Sequence, residues 1–118
     1  LLVDSKFSDV RIFAAQSLLT AKQDAINTLG FDLLIDEDTI VRSTTIRAMS
    51  ARRVPGWIKV MSRSLLDDDY VIQRAAMDGL LEDKQNGIPA LNEYINSNPQ
   101  SRISNLARIE LNKLGVNP

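Results

Sequence analysis

The chain has 118 residues, 44% of them hydrophobic and 25% charged, and a net charge of −1, which suits one domain with a continuous core. It contains neither Cys nor His, which excludes disulfides, thiolate metal sites, cysteine nucleophiles and imidazole acid–base or metal chemistry. No apolar run approaches the roughly 18 residues of a bilayer span and Leu1-Leu2-Val3-Asp4 carries no leader pattern, so the expected location is cytoplasmic.

The first element is a helix over residues 8–20, predicted by the spacing of Val10, Phe13, Ala14, Ala15 and Leu18, with Ser8 or Asp9 as its cap. After Lys22-Gln23-Asp24, the stripe Ile26, Leu29, Leu33 and Leu34 predicts a partner helix, and the short connection favours an antiparallel hairpin. Asp38 caps a helix over residues 39–51, with Asp36 and Glu37 at the positive end of its dipole. Pro55 stands in the first turn of a helix over residues 55–66. Asp69 starts a helix over 70–82, and Asn86-Gly87 supplies the turn into another over 87–96, where Pro89 falls early enough to be tolerated. Asn98-Pro99 breaks the chain, and a last helix spans 101–114 and stops at Gly115 in a left-handed conformation.

These elements repeat every 31 residues. Val10-Arg11, Val41-Arg42, Ile72-Gln73 and Ile103-Ser104 share one register; so do Ala14, Thr45, Ala76 and Ala107, and Leu18, Met49, Leu80 and Leu111. Ile26, Trp57 and Ile88 share another, as do Leu29, Val60 and Leu91, and small residues recur at Ser17, Ala48 and Gly79. Fixed-period self-similarity signals stacked repeats, in which no hairpin buries its apolar face alone. The expected fold is therefore all-α: an α-solenoid, or α/α superhelix, of antiparallel helix pairs. Hairpins lie at about 8–35, 39–66 and 70–97, with a capping helix at about 101–114, in one domain over 1–118.

The pattern Asp-x-x-Val-Arg-x-x-Ala, carried by Asp38, Val41-Arg42 and Thr45, resembles that of HEAT-like repeats, and the short period is similar to the variety named after phycobilisome lyases. The first unit keeps Val10-Arg11 and Ala14 but has Phe7 at the Asp position; Gln73 and Ser104 replace Arg, and Gln100 replaces the fourth Asp. The resemblance implies that second helices line a concave binding side. It also implies an Asp–Arg ladder between repeats, which these departures restrict to the second unit. Leu2-Val3 match the register of Leu33-Leu34, and Phe7, Ile12 and Phe13 make the first helix unusually apolar, whereas the last is polar. The chain is thus expected to be the C-terminal part of a longer solenoid, or to self-associate through its N-terminal end.

No P-loop, dinucleotide fingerprint or nucleophile–base pair is present, so no catalysis, metal or cofactor is expected. Asp67-Asp68-Asp69 echoes Asp36-Glu37-Asp38 one period earlier, which favours helix capping over cation binding. Residues 39–66 contain no Asp or Glu but hold Arg42, Arg47, Arg52, Arg53, Lys59 and Arg63. On the second helices Asn27, Phe31, Ile58, Lys59, Arg63, Glu93 and Tyr94 point outward from the core stripes, whereas Trp57 falls in a core register. Phe31, Ile58 and Tyr94 amid charge have the mixed character of interface anchors. The expected partner-binding set is Phe31, Ile58, Lys59, Arg63, Tyr94, Arg52 and Arg53. The leading function is a non-catalytic scaffold that recognises a protein partner. The alternatives are a bilin-lyase-like subunit or chromophore-protein chaperone, and nucleic-acid binding through the basic second repeat.

Overall fold

The computed structural model describes residues 4–116. Its described residues form seven α-helices and no strand: α1 (Ser8–Ser17), α2 (Gln23–Leu34), α3 (Thr39–Ala51), α4 (Trp57–Ser64), α5 (Tyr70–Leu81), α6 (Gly87–Ser97) and α7 (Arg102–Lys113). None is long and apolar enough to cross a membrane. The chain divides into two compact units, residues 1–57 and 58–118. The Leu2-Val3 register and Pro118 lie outside the described residues.

In the first unit α3 packs on both α1 and α2. Its core is Ala14, Ala15 and Leu18 from the first helix region, Ile26 and Leu33 from α2, and Val41, Ile46, Ala48 and Met49 from α3. Gly30 of α2 lies against Met49, whose Cγ and Sδ would sit 3.4 Å from an added Cβ. Asp38 caps α3 by accepting from the backbone N–H groups of Ile40 and Val41 at 2.8 and 3.3 Å. In turn, Asp36 accepts from the Asp38 N–H at 2.9 Å. Arg11 clasps Asp36 with both arms of its fork, Nε to Oδ2 at 2.7 Å and Nη2 to Oδ1 at 3.2 Å. Burial pushes the Asp36 carboxyl up, but the Arg11 bond and the Asp38 N–H outweigh it and hold the group below its usual range.

In the second unit α5 packs on α6 and α7, and α6 on α7. Ile72, Ala75, Ala76, Met77 and Leu80 of α5, Ile88, Leu91 and Ile95 of α6, and Ile103, Ala107 and Leu111 of α7 are buried. Asp69 caps α5 through the Val71 N–H at 2.8 Å, and Asp67 accepts from the Asp69 N–H at 2.8 Å, the same two bonds that Asp38 and Asp36 make. The acidic clusters thus build helix starts.

Four residues spaced 31 apart in the sequence each donate a side-chain hydrogen bond to a backbone carbonyl. Arg11 donates to the Ser5 carbonyl at 2.9 Å and Arg42 to the Asp36 carbonyl at 3.0 Å. Gln73 donates to the Leu65 carbonyl at 3.1 Å and Ser104 to the Asn98 carbonyl at 2.7 Å. Each satisfies a carbonyl in the connection before its own helix, where a backbone acceptor lacks an intrahelical partner. Arg, Gln and Ser all donate, so Gln73 and Ser104 make the kind of bond that Arg11 and Arg42 make. The Asp–Arg contact expected at the second repeat is found instead between Arg11 and Asp36, whereas Arg42 donates to the Asp36 backbone carbonyl.

Several local expectations are corrected. The cap of α1 is Phe7, in extended backbone and with no side-chain cap bond, because neither Ser8 nor Asp9 stands outside the helix. Beyond Ser17 the chain tightens into i to i+3 bonds that run to Ala21, so α1 ends before Thr20. Phe13 is 59% exposed, since α1 buries the opposite side, carrying Arg11, Ala14 and Ala15. Pro55 precedes α4 rather than opening it. The Trp57 N–H donates to the Val54 carbonyl at 2.9 Å across Pro55-Gly56, and Gly56 has φ +81°, the Pro-Gly arrangement of a type II turn. Gly87 begins α6, as the expected bounds had it, and so lies past the turn rather than in it; it is pressed so close to α5 that an added Cβ would run into the Leu80 carbonyl oxygen. The turn before it is organised by Asp83, whose Oδ1 accepts from Gln85 and Asn86 N–H, both at 3.0 Å.

Candidate functional site

The cations of residues 39–66 are mostly engaged within the protein. Arg42 serves the Asp36 carbonyl. Arg52, half-buried, donates to the Leu18 carbonyl at 2.8 Å and so ties the end of α3 to the end of α1. Arg53 donates to the Ser50 carbonyl at 2.9 Å, and its guanidinium carbon stands 4.4 Å from the centre of the Trp57 ring. Arg47 is exposed but also has an interaction partner. Lys59 and Arg63 are different. Both are exposed on α4, one turn apart, and among the described residues neither makes a hydrogen bond or an ion pair.

Helix stability does not explain that pair. Arg63 in the last turn complements the α4 dipole, but Lys59 lies in the first turn, where positive charge is unfavourable. Like charges at i and i+4 cost a further ~0.2–0.5 kcal/mol. Opposite them Trp57, Met61 and Leu65 are buried, so α4 is amphipathic, with the cations on its water side. Ile58 is half-buried on its flank. Leu66, just past the helix, is 65% exposed.

The α2 face in the first unit has another character. Asp24, Thr28, Phe31 and Ile35 are exposed at helical spacing along one side, with Asp32 beside them. Phe31 is 45% and Ile35 85% exposed. Ile35 and Leu66 share a register and were not among the residues expected from the sequence to form the site. The available signal was an apolar residue just past the core stripes of the first two second helices, at the same phase of the period, where the third has Ser97. On α6 Glu93 is exposed, whereas Tyr94 is half-buried and its hydroxyl donates to Ser101 Oγ at 3.1 Å. That bond ties α6 to the α7 cap, where Ser101 accepts from the Ser104 N–H at 3.0 Å. Trp57 is buried, as its register indicated. No cluster of metal-ligating side chains occurs among the described residues.

The structure thus brings Lys59, Arg63 and Leu66 together at α4, and Phe31 and Ile35 at α2. It gives Arg52, Arg53 and Tyr94 intramolecular bonds. At the level of class, the described residues form an all-helical fold. No protein-family model matches the chain, and neither a curated protein nor a solved structure is significantly similar to it.

Proposed function

We propose that this chain is a HEAT-like module, an α-solenoid of helix pairs with a 31-residue period, that binds a protein partner through the outer faces of its second helices and has no catalysis of its own. The single observation that carries the reading is exposed apolar side chains, Phe31 and Ile35 on α2 and Leu66 beyond α4, set among charged residues. Water-exposed Phe, Ile and Leu beside unpaired charge form the composition of an interface core and rim. The recurrent carbonyl bond and the in-register burial of Thr45, Ala76 and Ala107 support the repeat reading. The engagement of Arg42, Arg52 and Arg53 within the fold favours protein over nucleic acid, since phosphate binding draws on many free cations at once.

The test is crosslinked capture from the source cells with wild type and with the Phe31→Asp/Ile35→Asp double variant, whose exchanged side chains are 45% and 85% exposed in the native protein and whose folding is checked by thermal unfolding. A protein retained by wild type and lost with the variant is expected. Equal recovery by both overturns the reading.

A further inference from the structure

We infer that the outer face of α4 receives an acidic protein segment: two carboxylates, about one helical turn apart, on Lys59 and Arg63, followed by an apolar side chain on Leu66. The inference rests on the protein-binding reading above and names the chemistry of the partner. Its basis is the accounting of the basic stretch. Arg42, Arg47, Arg52 and Arg53 have partners within the protein, whereas Lys59 and Arg63 have none among the described residues, and both stand on one water-facing side of α4. Lys59 opposes the helix dipole and lies one turn from a like charge, so folding alone gives no reason for it. A carboxylate at each cation removes both penalties, and such charge-assisted hydrogen bonds are the stronger kind.

The surroundings select among anions. Four residues of helix rise about 6 Å, which matches carboxylates at i and i+4 of a partner helix or at i and i+2 of an extended segment. Directly after Leu66 the chain turns acidic at Asp67-Asp68-Asp69, where Asp68 is exposed while Asp67 and Asp69 are committed to the α5 start. A nucleic-acid backbone, with charge continuing past the two cations, meets that acidic edge and is repelled. A short protein segment ends its negative charge at Arg63, rests an apolar residue on the 65% exposed Leu66, and places Lys or Arg beside Asp68.

Fluorescence anisotropy with the full chain tests this. The probes are a labelled 12-residue peptide repeating Glu-Glu-Leu-Lys, its Gln-for-Glu and Lys-for-Glu counterparts, and a labelled 20-nucleotide single strand. The Glu peptide is expected to bind at least about tenfold more tightly than the Gln peptide, and to weaken as salt rises. The Lys59→Glu/Arg63→Glu variant should lose that preference and instead favour a Lys-for-Glu peptide, with its thermal unfolding unchanged. Three results overturn the inference: no binding or no Glu preference in wild type, the same preference in the variant, or tighter binding of the oligonucleotide. A dimer that the double substitution splits into monomers assigns the face to a second copy and overturns it as well. If the charge-reversed variant still captures the partner that Phe31→Asp/Ile35→Asp loses, the protein-binding function stands and only the α4 chemistry fails.

Discussion

Arg53 is held in a conformation that Arg rarely adopts, at φ +48°. It closes α3 in a Schellman arrangement: its N–H donates to the Ser50 carbonyl at 3.1 Å and the Val54 N–H reaches back to the Met49 carbonyl at 3.2 Å. Val54 and Met49 supply the buried apolar residues of that motif. The end of α7 makes the same two bonds, Gly115 to Asn112 at 3.0 Å and Val116 to Leu111 at 2.9 Å, but with Gly at the left-handed position, φ +76°. A side chain there costs about 1–2 kcal/mol, partly offset at Arg53 by stacking on Trp57, worth about 0.5–1 kcal/mol at an exposed site. Arg53→Ala keeps the strained backbone and loses the stacking, so it should destabilise by about 0.5–1 kcal/mol. Arg53→Gly should be more stable than Arg53→Ala by about 1 kcal/mol. Denaturant titration of the three proteins decides; a Gly variant no more stable than the Ala variant contradicts a left-handed Arg53.

At the scale of elements, two helix glycines look alike in sequence and should respond with opposite sign. Gly87 opens α6 against α5, and a methyl there meets the Leu80 carbonyl oxygen at 2.1 Å and carbon at 2.9 Å. Both are helix backbone and cannot step aside, so Gly87→Ala should cost about 1–3 kcal/mol, more than the ~1 kcal/mol that Ala offers a helix. Gly30 in α2 faces only the flexible end of Met49, at 3.4 Å. Gly30→Ala should therefore be neutral or stabilising by up to about 1 kcal/mol. Thermal unfolding reads both, and a loss at Gly30 equal to that at Gly87 would falsify the packing argument. The contrast marks what was legible in the chain. Helix existence, the Asp38 and Asp69 caps, the Gly115 stop and the burial of Leu18, Met49, Leu80 and Leu111 and of Ile26, Trp57 and Ile88 followed from spacing and side-chain type, whereas Leu29 and Val60 are only half-buried. Whether a Gly serves a turn or a close approach depends on what stands across from it, and spacing cannot show that. For the same reason Pro55 belongs to a turn: the left-handed φ of Gly56 delays α4 to Trp57.

For the whole molecule, the candidate site was half legible, because outward-facing positions follow from helical phase whereas side-chain partners do not. Arg52, Arg53 and Tyr94 read as surface groups until their bonds to Leu18, Ser50 and Ser101 are seen. Charge partners also govern how the protein responds to acid. With no His in the chain, no side chain has its ordinary pKa near neutrality, so stability should be nearly flat between about pH 6 and 8. Asp36 changes that at low pH. Burial raises its pKa, but the Arg11 bond and the Asp38 N–H lower it further, leaving it below the unfolded value of about 3.9. A carboxyl lowered on folding contributes stability that is full above the unfolded pKa and vanishes as pH falls through the folded one. Asp36→Asn should therefore be less stable than wild type at pH 7, and the gap should close below about pH 4. Because Asp36 joins Arg11 of α1 to the start of α3, the loss belongs to the first compact unit. Amide hydrogen exchange in wild type should show α1 to α3 losing protection at a higher pH than α5 to α7 as the solution is acidified. A gap between wild type and Asp36→Asn that stays constant down to about pH 2 would mean the Arg11–Asp36 pair does not contribute through its charge.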